Sequence, residues 1–258
     1  MDWNVSSYEA FGDLRLRPGL DLLARAPLKA AERVIDLGCG AGALAPALRR
    51  RFPGAALVGV DPSKTMLERA RATEIYDELE HEDAGHFAAD PRGAAPDLIF
   101  SNAALHWAPG HMRLLPVLLS LLRPGGALAV QMPRQFDEPS HALLRRVAAA
   151  LFRGRFEADA PAPVAEPAAY RALLAPRATT LDLWETVYHQ PLTAEGDAHP
   201  VAAFTASTAA RPIFARLEAC ERLRFEAAYR EALEEAYPVE ADGRVWFPFR
   251  RLFFVATR

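Results

Sequence analysis

The stretch 33-RVIDLGCGAGAL-44 limits the possible folds more than any other part of the chain. A short apolar run rich in β-branched residues reads as a buried strand, and Gly38, Gly40 and Gly42 strip the Cβ atoms from the turn behind it. Such a bare turn, leading into a helix, lets backbone N–H groups and the positive helix end approach a ligand at the carboxyl edge of a sheet.

The surrounding pattern agrees with an α/β fold. The segment 19-GLDLLARAPL-28 is an amphipathic helix, 43-ALAPALRRRF-52 a helix with Pro46 in its first turn, 56-ALVGV-60 a strand, and 64-KTMLERARATEIYDELE-80 a helix capped by Ser63. A short third strand is expected near 86-HFAA-89. Strand 97-DLIFS-101, helix 111-HMRLLPVLLSLL-122 and strand 127-ALAVQM-132 complete the series. Strands separated by helices predict a parallel sheet covered on both faces and joined by right-handed crossovers. After Pro133 the rhythm changes to helices and loops over 140–176, a strand 179-TTLDLWETVYHQ-190, helices over roughly 197–236 and a last strand 251-RLFFVAT-257. The expected division is a cofactor-binding core over 1–135 and, over 136–258, a helical lid together with the last two strands.

Composition excludes several classes of function. A formal charge of −3 and 24% charged residues leave no general attraction for nucleic acid or an anionic membrane, so any anion site must be local. Cys39 and Cys220 are the only cysteines, which argues against a disulfide framework. The N-terminus lacks the apolar core of a signal peptide, and 114-LLPVLLSLL-122 is too short to span a bilayer. A cytoplasmic protein is expected, with no metal and with a monomer as the preferred oligomeric state.

Two cofactor classes compete for the glycine turn. Gly38, Gly40 and Ala43 can be written as a dinucleotide fingerprint, with Asp61 placed where a ribose-binding acid belongs. Three details favour S-adenosylmethionine. Asp36 stands two residues before the first glycine, where a carboxylate can hold the turn and receive an ammonium group. Asp90, closing 88-AAD-90 at the end of the expected third strand, is placed to accept from an adenine amino group. A late C-terminal strand after a helical excursion suits a seven-stranded sheet with one reversed strand. Asp61 then accepts both ribose hydroxyls through its two oxygens. Met66 reads equally as an adenine wall or as helix core, Arg17 as an anchor for the methionine carboxylate or as helix surface, and Asn102 as a neighbour of the methyl group. Cys39 reads as a small spacer.

This arrangement resembles the class I S-adenosylmethionine-dependent methyltransferases, whose motif is 36-DLGCGAG-42 here. Outside it, the chain is similar to the trans-aconitate 2-methyltransferase family over almost its full length. The matching residues are 2-DWNVSSYEAF-11, 15-RLRPGLDLLARAPL-28, 97-DLIFSNAALHW-107, 127-ALAVQMP-133, 184-WETVYHQ-190, Arg211-Pro212, 235-EAYP-238 and 250-RRLFFVA-256. The resemblance implies a Rossmann-like α/β fold with a seven-stranded, mostly parallel sheet, a helical lid from C-terminal insertions, and esterification of one carboxylate of a small tricarboxylic acid.

A carboxylate with a pKa near ~4 is already ionised at neutral pH and needs no general base, so catalysis is mainly positioning and exclusion of water. A guanidinium on the attacking oxygen would blunt it. Arginines should hold the other carboxylates, and Arg211, Arg250 and Arg251 are the candidates, with Tyr8, Trp107, Tyr170 and His189 as pocket donors or walls. His106 and Trp107 directly follow the fourth strand as positioning groups, although a lone histidine such as His106 or His189 is often structural. Methylation of a hydroxyl or amine on a specialised metabolite remains an alternative and calls for a base such as His106. A non-catalytic S-adenosylmethionine-binding protein would carry the same ligand residues.

Overall fold

The computed structural model describes residues 12–193 and 198–258, with side chains from residue 16. The N-terminal stretch 2–11, including Tyr8, lies outside the described residues. In chain order the elements are helix α1 (Gly12–Ala24), strand β1 (Arg33–Leu37), α2 (Ala45–Arg51), β2 (Ala56–Val60), α3 (Lys64–Ala72), β3 (Glu78–Glu80), α4 (Ala84–Ala89), β4 (Leu98–Asn102), a 3-10 turn (Leu105–Trp107), α5 (His111–Leu121) and β5 (Ala127–Pro133). There follow α6 (Pro139–Leu151), α7 (Pro167–Leu174), β6 (Thr180–Leu192), α8 (Pro200–Ala206), α9 (Arg211–Phe214), α10 (Ala219–Ala236) and β7 (Val245–Thr257).

The strands form one seven-stranded sheet in the order β3-β2-β1-β4-β5-β7-β6. From β3 to β5 every pairing is parallel, and β7 runs antiparallel to both β5 and β6. Alternate residues of the central strands face opposite layers, so near-continuous apolar runs are what a doubly covered sheet requires. Ile35, Val58 and Ile99 enter a core shared with α4, α5 and α7, while Val34, Leu57, Leu98 and Phe100 enter one shared with α1 and α2.

Two sequence expectations fail together. Helix α3 stops at Ala72, and Glu74, with φ of 56°, turns the chain out of the helix. Asp77 then binds the backbone N–H of Leu57 at 2.7 Å and Arg49 at 2.6 Å, which delivers residues 78–80 to the edge of β2 as the third strand. Residues 86–89, expected as that strand, lie in helix α4, because Asp83 accepts from the N–H groups of Gly85 and His86 as an N-cap. Asp90 therefore sits at the C-terminal end of a helix and is exposed.

Strand β7 has two territories. Residues 251–257 pair with β5, but 245–250 continue past the end of β5 at Pro133 and pair with β6 alone. This ribbon carries Val245, Phe247 and Phe249 into a third core with Leu144 of α6, Phe204 of α8, Ile213 of α9 and Phe225 of α10. The lid is thus rooted at the same carboxyl edge of the parallel strands where the glycine turn lies. No helix among the described residues is long and apolar enough to cross a membrane.

Candidate active site

Strand order reverses at β1, whose neighbours are β2 and β4, and this opens a crevice at the carboxyl edge. All three turn glycines hold positive φ: 80° at Gly38, 54° at Gly40 and 83° at Gly42. A Cβ on Gly38 would lie 2.1 Å from the Cβ of Ala104, so close approach of β4 forbids a side chain there. At Gly40 the added atom would meet nothing within 4 Å, so the turn is bare toward open space as well as toward protein.

Asp61, at the end of β2, accepts from the N–H of Gly40 at 2.9 Å through Oδ2 and from that of Ser63 at 2.9 Å through Oδ1. Burial raises its pKa, and these two bonds oppose the shift. Each oxygen keeps a further lone pair, so the carboxylate can still receive two hydroxyls.

Asp36 is buried and accepts from the Tyr76 hydroxyl at 2.6 Å. Burial pushes its pKa up to about 7, with Tyr76 pulling down and Asp61 pushing up. The unfolded chain releases this proton near 3.8, whereas the folded protein keeps it to about 7. Between those values the native state binds more protons, so stability of the ligand-free protein should fall as pH rises through that window. Urea titrations between pH 4 and 7 should show that slope flattened in Asp36→Asn; an unchanged slope would remove Asp36 as its source. Burial also raises the Cys39 thiol, which agrees with a spacer and not a nucleophile.

At the end of β4, Ala103 holds φ of 54° and its N–H bonds the Gln131 carbonyl at 2.9 Å. A left-handed alanine is strained by roughly 1–2 kcal/mol and is kept only where surrounding bonds dictate it. The buried Asn102 Oδ1 has no hydrogen-bond partner among the described residues.

Beside this turn lies a cavity of about 640 Å³. Its sheet end is built by Asn102, Ala103, His106 and Trp107 after β4, by Arg134 and Gln135 after β5, and by Arg250 and Arg251 of β7. Arg251 is buried and donates to Gln131 Oε1 at 3.4 Å. Arg250 ion-pairs with Glu138 at 3.1 Å, and its N–H donates to Gln135 Oε1 at 2.8 Å. Arg134 is held by Glu166 and, at 3.0 Å, by Glu185. Burial first, and the Arg251 charge next, push His106 down to about 3, so its ring is neutral at physiological pH. His141 is likewise pushed down to about 4 by burial and by Arg145.

Several residues expected at the site stand elsewhere. Tyr170 is wholly buried, accepts from the Ala165 N–H at 3.2 Å and meets His111 at 2.8 Å, so it supports the wall from behind. His189 is exposed on β6, between buried Tyr188 and Gln190, and faces away from the cavity. Asp90 does not follow the third strand; the acids that do are Glu82 and Asp83, neither of which the sequence reading singled out. Arg211 begins α9 and does not line the cavity, although its neighbour Pro212 does. Met66 is buried in α3, and Arg17 is exposed over the Tyr188 ring at 5.3 Å. Tyr76, Arg134, Gln135, Glu138 and His141 carry no local motif and were also missed.

The switch-point crevice, the glycine turn and the two strand-end acids define a methyltransferase of the Rossmann-like class. A family model described as a methyltransferase domain matches residues 8–160. The trans-aconitate 2-methyltransferase of Paracidovorax citrulli is 42% identical over 260 residues, covering 100% of this chain and 98% of that one. The enzyme of the same name from Azoarcus sp. is 45% identical over 257 residues, covering 99% of each. Among solved structures, the YcgJ protein of Bacillus subtilis matches with a TM-score of 0.58 at 15% identity over 94% of this chain and 99% of that one. The plantazolicin methyltransferase BpumL in complex with SAH matches with a TM-score of 0.51 at 14% identity over 97% and 87%. Both structural likenesses show the fold. The chain belongs to the trans-aconitate 2-methyltransferase family, and its methyl donor is S-adenosylmethionine.

Proposed function

We propose that the protein esterifies one carboxylate of trans-aconitate or a closely related polycarboxylate. The observation that carries this reading is the juxtaposition, at one sheet edge, of the bare glycine turn and a cavity walled by Arg250 and Arg251. When bound, S-adenosylmethionine supplies a methyl group on a cationic sulfur. Asp61 holds the ribose hydroxyls, Gly38, Gly40 and Gly42 admit the cofactor backbone-close, and Asp36 with Asn102 faces its ammonium end. Met66 borders the adenine, and Asp83, in the turn after β3, takes the adenine role expected of Asp90. Arg17 is the remaining candidate for the cofactor carboxylate.

On the acceptor side, Arg251 and Arg250 hold the carboxylates that do not react, with Arg211 at the lid margin, while Trp107 and neutral His106 wall the reacting one. A histidine held near 3 is a weak base at neutral pH, which favours an acceptor already ionised over a hydroxyl or amine. Residues 1–135 form the cofactor-binding core and lend His106 and Trp107 to the acceptor cavity, whereas 136–258 supply the lid and the last two strands with Arg250 and Arg251. In this reading the enzyme is a cytoplasmic monomer, and free Cys39 and Cys220 agree with a reducing compartment.

The test is to offer methyl-labelled S-adenosylmethionine with a panel of carboxylates, phenols and amines. Label on trans-aconitate, released as methanol by mild base, is the expected result. Label found only in base-stable products would overturn the ester reading.

A further inference from the structure

The cavity is chemically two-sided, with arginines at the sheet edge and apolar side chains of the lid across from them. At the sheet edge stand Arg250, Arg251 and His106, close to the β4 turn. The opposite wall is the margin of the lid core, lined by Leu144, Phe204, Ala209, Pro212 and Ile213, while Arg145 beside them spends its guanidinium on the carbonyls of Phe136, His141 and Ala158. Phe249 joins the ends, with its ring 5.6 Å from that of Phe204 and 4.6 Å from the Arg251 guanidinium. Leu144, Phe204, Ile213 and Phe249 are buried members of the lid core, and it is the apolar margin of that core that borders the cavity.

Size points the same way. The cavity of about 640 Å³, shared at its Asn102 end with the cofactor, lies within the range of ~300–1,000 Å³ typical of pockets for drug-sized ligands. The acids in the wall add to the argument. Glu166 and Glu185 already neutralise Arg134, and Glu138 shares Arg250, so the acceptor's carboxylates gather at Arg251 and Arg250 and not along the rest of the wall.

We propose that the enzyme also accepts, and prefers, polycarboxylates bearing an apolar substituent, with the carboxylates at Arg251 and the alkyl or aryl group between Phe204, Leu144 and Ile213. This rests on the carboxyl-methylation reading above. The chemistry is unchanged: a carboxylate oxygen forms the bond to the methyl carbon as the carbon–sulfur bond breaks, sulfur keeps the electron pair, and no proton moves. Burial of each added methylene should raise kcat/KM about fourfold while space lasts.

The experiment compares trans-aconitate with fumarates whose substituent is methyl, propyl, pentyl or benzyl, using the full-length enzyme and S-adenosylmethionine. We expect kcat/KM to rise at least tenfold from methyl to pentyl, and Ala209→Phe and Ile213→Asn, each shown to be folded by its melting curve, to flatten that rise. Trans-aconitate esterified with no gain along the alkyl series would overturn the inference and leave the proposed function standing. Failure of every acid, trans-aconitate included, would sink the proposed function and the inference with it. A gain that survives in both folded variants would place the substituent elsewhere and overturn the assignment of this wall.

Discussion

Asp61→Ala is expected to lose measurable cofactor binding. The carboxylate sits at the end of β2, spends one lone pair of each oxygen on Gly40 and Ser63, and leaves the others for two hydroxyls. Two hydrogen bonds to a charged group, at about 1.5–3 kcal/mol each, amount to roughly 10²–10⁴ in affinity. The substitution also releases the Gly40 N–H that fixes the turn, which adds to the loss. Calorimetric titration with S-adenosylhomocysteine reads this directly. An affinity within threefold of wild type would show that the ribose is held elsewhere.

Arg251→Gln should act on the other half of the site. The guanidinium lies deep at the sheet edge beside Pro133, its partner in the β5–β7 register, and a buried charge facing a carboxylate is strongly coupled to it. Removing one member of such a pair costs about 2–4 kcal/mol, so kcat/KM for the acceptor should fall roughly 30-fold to 1,000-fold. The S-adenosylhomocysteine affinity should stay within about twofold, because the glycine turn and Asp61 are untouched. Equal losses in cofactor and acceptor binding would mean that Arg251 supports the sheet edge as a whole.

The cofactor half was legible because its signals are local. A strand, three glycines and acids at Asp36 and Asp61 lie within one βαβ unit, where spacing alone sets their positions. The third strand was not legible. Residues 74-EIYDELE-80 have good helix formers, and only pairing with β2, secured by Asp77, turns three of them into an edge strand. Asp83 was hidden by the same error, although its position before a short alanine-rich helix is a recognisable cap.

The acceptor half is long-range. Leu181 and Leu183 of β6 pack on the sheet core, whereas farther along Tyr188, Gln190 and Leu192 are the buried positions. The covered face changes where the ribbon leaves β5, and His189 is consequently turned outward. Tyr170 reads as a pocket donor from its hydroxyl, yet His111 and Ala165 consume that hydroxyl inside the core. Arg134 and Gln135 meet Arg250, and His141 meets Phe249, only because β7 runs on past the end of β5, which no spacing reveals.

The central claim is that one acceptor carboxylate is delivered to the methyl group while arginines hold the others. A crystal structure with S-adenosylhomocysteine and trans-aconitate tests it most directly. The predicted result has the ribose on Asp61, one carboxylate oxygen in line with the cofactor sulfur with room for a methyl group between them, and another carboxylate on Arg251. An acceptor whose carboxylates all point away from the sulfur, or a cofactor bound away from the glycine turn, would contradict it.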